Sequence, residues 1–136
     1  MNARTKARRR ALEFLFEAEA RGVDPLQAAI GRRENSEIVL NEYSLTLIEG
    51  VTAHQQRIDE ILESYVQGWT IERMPAVDRI ALRIGVWELL YNDEVPDAVA
   101  VSEAVVHVRD LSTDESPDFV NGVLGRIQQV KDTLVD

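Results

Sequence analysis

The chain has 136 residues, no cysteine, and a formal net charge of −9 from 15 Lys and Arg against 24 Asp and Glu. Its length fits a single domain that buries about two thirds of its unfolded surface without a disulfide or metal. The lack of cysteine excludes disulfides, thiolate metal ligands and a cysteine nucleophile. No stretch approaches the roughly 20 apolar residues of a membrane span. Glu13, Glu17 and Glu19 interrupt the apolar run that a secretory signal needs after its basic start, so a soluble cytoplasmic protein is expected.

Ala11, Leu12, Leu15 and Ala18 recur at helical spacing and predict a first amphipathic helix from about Thr5 to Arg21, ended by Gly22. Asp24 before Pro25 reads as an N-cap followed by proline at the first helical position, opening a short helix through Ile30. The polar stretch from Gly31 to Ser36 reads as a loop. In the third segment Leu40, Tyr43, Leu47, Ile48, Val51, Ile58, Ile61, Leu62 and Tyr65 predict one long helix, bent near Gly50 and ending at Gly68. Trp69 to Pro75 connects it to the next helix.

From Val77 to Tyr91 apolar residues occupy almost every face, the pattern of a buried central helix. Asp93 to Pro96 reads as a turn. Val101, Ala104, Val105 and Val108 make one stripe of the following helix. After the polar stretch Ser112 to Pro117, with Ser116 as N-cap, Phe119, Val120, Val123, Leu124, Ile127 and Val130 complete a last amphipathic helix. Gly122 lies inside that pattern and is expected to permit close helix packing. No segment alternates with period two, so the expected fold class is all-α, about seven helices packed in bundles.

Charge is the strongest functional signal. Arg4, Lys6, Arg8, Arg9 and Arg10 fall within the first ten residues, and the rest of the chain carries a net −14. Such a chain repels polyanions over most of its surface and can hold phosphates only at one end. Arginine outnumbers lysine there, and its planar fork binds phosphate bidentately and stacks on bases. So small a patch favours single-stranded RNA, where base stacking on aromatics adds about 1–3 kcal/mol per base. Tyr65, Trp69 and Phe119 are the candidate platforms. Phe14 and Phe16 point about 200° apart on a helix, so both cannot face one core, and one is expected as an exposed interface anchor. Catalysis has little support. His54 and His107 lack ligand or base partners at matching spacing, and there is no glycine-rich phosphate loop.

Several blocks then combine: the run from Arg8 to Glu17, Val77 to Ile84 leading into Trp87 to Leu90, Val95-Pro96, Val99 to Val105, and Phe119 to Leu124. In that order and spacing the chain resembles the NusB family of bacterial transcription antitermination factors over nearly its whole length. The resemblance implies two helical bundles in one RNA-binding domain spanning 1–136. It implies binding to the boxA element of nascent ribosomal transcripts together with NusE, a small-subunit ribosomal protein, so that RNA polymerase reads through terminators. It implies no enzymatic activity, no cofactor and no metal. The expected RNA contacts are Arg4, Lys6, Arg8, Arg9, Arg10 and Phe119, with Tyr65 and Arg79 as additional ones. The NusE-facing surface would include Phe16, Asp78 and Glu115, with Leu111 nearby. Phe16 stands where the family usually has tyrosine, and Val101-Ser102-Glu103 replaces the commoner Ile-Asn-Glu.

Two other readings make different predictions. Similar helical domains occur fused to ribosomal RNA cytosine methyltransferases, but no strand-rich region with a glycine-rich cofactor loop is present here. A homo-oligomeric scaffold would bury Phe14 or Phe16 against a second copy and ignore RNA. Some members of the family dimerise, so a homodimer is compatible with RNA binding.

Overall fold

The computed structural model describes residues 2–35, 41–66 and 70–134. The described residues form six helices in the order α1 (Ala3–Arg21), α2 (Pro25–Asn35), α3 (Glu42–Tyr65), α4 (Ala76–Tyr91), α5 (Asp97–Leu111) and α6 (Ser116–Leu134). The described residues contain no strand, and none of their helices is long and apolar enough to cross a membrane. The chain divides into two compact units, Met1–Ala53 and His54–Asp136, with the division inside α3.

In the first unit α1 starts earlier than the apolar pattern indicates. Asn2 caps it, accepting from the Thr5 backbone N–H at 2.7 Å and from the Thr5 hydroxyl at 2.8 Å. Gly22 ends it in the left-handed region at φ 67°, with bonds from Val23 N to Ala18 O and from Gly22 N to Glu19 O. The Asp24 carboxylate accepts from Leu26 N at 2.8 Å and so opens α2 as expected. The loop expected from Gly31 is helical through Asn35 instead. Arg and Glu favour helix even when no apolar stripe marks it. Ser36, Leu40, Gly68 and Trp69 lie outside the described residues.

In the second unit α4, α5 and α6 pack against one another. Ile80, Leu82, Val86, Val108, Val120, Leu124 and Ile127 are fully buried or nearly so. Polar ties join the helices to one another. Arg83 holds Asp59 through two bonds of 2.8 and 3.0 Å. Lys131 Nζ donates to Asp97 at 2.7 Å and to the Leu89 carbonyl at 3.4 Å. The Asp97 hydrogen bond raises the Lys131 pKa above its ordinary value, against the opposing effect of burial.

Close helix packing occurs at Gly85 on α4. A Cβ there would lie 2.7 Å from Leu124 Cδ1, whereas one at Gly122 would meet only the Arg126 guanidinium at 3.4 Å. Leu124 is fully buried, so its side chain has little room to move aside. Gly85→Ala is therefore expected to destabilise by about 1 kcal/mol, overpacking exceeding the gain in helix propensity. Chemical denaturation of Gly85→Ala, Leu124→Ala and the double variant would show the double losing less than the two singles together.

Candidate functional site

All five cations of the N-terminal cluster lie on α1, whose first turn contains no acid. Arg4 and Lys6, exposed in that first turn, oppose the helix macrodipole, so local stability does not account for these two. Helical geometry deals them onto two faces. Lys6, Arg9 and Arg10, at spacings of three and four, share one; Lys6 and Arg10 are exposed and Arg9 is half-buried. Arg4 and Arg8 share the other, directed at Tyr43 at the start of α3. The Arg4 Cζ sits 4.1 Å from the Tyr43 ring centroid and the Arg8 Cζ 5.7 Å from it. Arg4 is exposed, while Arg8 is only 3% exposed. Next to Tyr43 in the chain, the buried Ser44 hydroxyl donates to the carbonyl of Ala7, the residue before Arg8, at 2.7 Å. Farther along α1, Phe14 faces the core and Phe16 is 42% exposed, so the two rings divide as the 200° argument requires.

The remaining candidates belong to the second unit. Tyr65 is half-buried at the end of α3, and its carbonyl accepts from Arg126 at 3.0 Å. Arg79 is half-buried on α4 and donates to the Ile71 carbonyl at 3.3 Å. Phe119 is half-buried in the first turn of α6. Leu111, at the end of α5, is 40% exposed, and Glu115, between α5 and α6, is exposed.

Asp78 is placed differently from its expected surface role. It is 1% exposed in the first turn of α4, where a carboxyl group suits the helix macrodipole. Its Oδ2 accepts from the Ser116 hydroxyl at 2.9 Å. Ser116 Oγ in turn accepts from the Thr113 backbone N–H at 3.2 Å and pairs with the Thr113 hydroxyl at 2.8 Å. Ser116 thus ties the 112–116 turn to α4 instead of capping α6 with its side chain. Asp78 supports that turn through Ser116.

The NusB family model matches residues 5–129. The chain belongs to the NusB family. A relative from Arthrobacter sp. (strain FB24), called transcription antitermination protein NusB, is 61% identical over 135 residues, covering 99% of each chain. The solved NusB of T. maritima superposes with a TM-score of 0.81 at 29% identity, covering 95% of this chain and 92% of the other. A structure of the antitermination factors NusB and NusE in complex with dsRNA matches with a TM-score of 0.79 at 28% identity, covering 96% of this chain and 98% of that one.

Sequence reasoning counted Tyr43 only as part of an apolar stripe. Its partners Arg4 and Arg8 lie more than thirty residues away, and no local pattern announces such a pairing. The burial of Asp78 had a visible signal. It is an acid inside a helix otherwise apolar on nearly every face, where only a bonded carboxyl group is tolerated.

Proposed function

We propose that this chain is a transcription antitermination factor that binds boxA RNA of nascent ribosomal transcripts jointly with NusE, helping RNA polymerase read through terminators. Family membership over residues 5–129 and the role for which its relatives are named support this reading. The single structural observation that carries it is the capped α1, which orders five cations on one helix in an otherwise acidic chain. Arg4, Lys6, Arg9 and Arg10 are assigned to RNA phosphates. Arg8 supports them from its buried position. Phe119, Tyr65 and Arg79 are assigned as contacts on the second unit. Phe16, Leu111 and Glu115 are assigned to NusE, with Asp78 holding the 112–116 turn from within. The chain acts as one RNA-binding domain in the cytoplasm, by binding alone, with no cofactor, metal or catalytic step.

The related NusB–NusE structure contains dsRNA. Single-stranded RNA is preferred here because four cations supply few phosphate contacts and a single strand adds stacking. A ribosomal partner supplies the positive surface that a chain of net −9 lacks. Titration of boxA RNA with and without NusE tests this. Affinity is expected to rise by at least about tenfold when NusE is present and to fall with salt. Equal affinity without NusE would refute the shared surface, and tighter binding to a duplex of the same sequence would refute the single-strand assignment.

A further inference from the structure

We propose that Tyr43 is a positioning residue for RNA, acting through Arg4; this rests on the RNA reading of the α1 cations. The ring of Tyr43 carries the Arg4 guanidinium at 4.1 Å and the Arg8 guanidinium at 5.7 Å, both within the range of a cation–π attraction. Two like charges one turn apart on a helix repel. The Tyr43 ring, projecting from the start of α3, offsets that repulsion and gives both a defined seat. The seat is itself fixed, because the neighbouring Ser44 is fully buried and bonded to the Ala7 carbonyl, between Arg4 and Arg8 in sequence.

A ring engages the face of a guanidinium, whereas its five N–H donors lie in its plane. Tyr43 can therefore hold Arg4 without using the donors that a phosphate takes. Arg4 is exposed, so a phosphate can approach it from solvent. Arginine populates many rotamers, and a phosphate contact made from an unseated side chain must freeze them. Tyr43 does that ordering before RNA arrives. Arg8, only 3% exposed over the same ring, completes the seat.

A double-mutant cycle on the full chain, read by anisotropy of labelled boxA RNA, tests the coupling. Tyr43→Leu is expected to weaken binding about two- to fivefold, the factor that one exposed cation–π contact represents. Tyr43→Phe keeps the ring and should restore wild-type affinity. In an Arg4→Ala background Tyr43→Leu should cost nothing further, an outcome that general destabilisation would not produce. An undiminished Tyr43→Leu effect in that background would overturn the proposal, as would a Tyr43→Leu variant that binds like wild type. Should Tyr43→Leu not fold, the ring-current shift of the Arg4 side-chain protons in the wild-type protein decides the seat. Unshifted protons would overturn it. If the wild-type chain with NusE fails to bind boxA at any salt, the RNA reading itself falls, a result distinct from the other failures.

Discussion

Asp78→Lys is expected to lower the unfolding free energy by about 3–5 kcal/mol, the cost of an uncompensated charge at a buried site. The carboxyl group is 1% exposed, and its Oδ2 takes the Ser116 hydroxyl. An ammonium group in the same place would also leave the Ser116 knot unmade. The macrodipole at the start of α4 opposes a cation and favours the residue it replaces. Asp78→Asn should be far milder, about 1–2 kcal/mol, because the amide oxygen still accepts from Ser116. Against a total stability of about 5–15 kcal/mol, the lysine variant would unfold at a urea concentration lower by roughly 2 M.

Glu115→Lys separates the supporting role from the contact role. Glu115 is exposed, so its reversal should move stability by no more than about 0.5 kcal/mol, while weakening a basic partner. Urea unfolding and NusE binding, measured on the three variants, should therefore rank them in different orders. A lysine at 78 that leaves the unfolding midpoint unchanged would contradict the buried knot.

The sequence disclosed those parts of the molecule that depend on neighbours along the chain. Asp24-Pro25, Gly22 and the apolar stripes of α1, α3, α4 and α6 act within a few residues, so their periodicity and caps were legible. Legibility failed where polarity was taken for a loop, at 31–35, and where the decisive neighbour sits on another helix. Gly85 looked ordinary until Leu124 was set against it, and Gly122 looked like a packing residue until Arg126 proved to be its neighbour. The same limit governs the candidate site. Five cations in ten residues are visible in one line of sequence, but their division into Lys6, Arg9 and Arg10 on one face and Arg4 and Arg8 on another follows from helix phase plus the position of Tyr43. Charge counting alone treats these five residues as equivalent, and the structure does not.

That division decides which substitutions report on RNA. Lys6→Ala, Arg9→Ala and Arg10→Ala combined are expected to weaken boxA binding by about 50-fold at 0.15 M salt. If each cation neutralises one phosphate, three contribute a slope of about −2 in log affinity against log salt on a single strand, and their contribution vanishes near 1 M. The variant should therefore show both a lower affinity and a shallower slope, and the two curves should converge at high salt. Helicity should not fall, since alanine has the highest helix propensity and removing Lys6 from the first turn of α1 relieves the macrodipole. Arg8→Ala belongs in a separate experiment. That side chain is almost fully buried over Tyr43, so its loss should cost stability, about 1–2 kcal/mol, with little change in the salt slope. Salt titrations of both variants with NusE present would show whether affinity is lost through phosphate contacts or through the fold. A triple variant with an unchanged slope would move the RNA site away from α1.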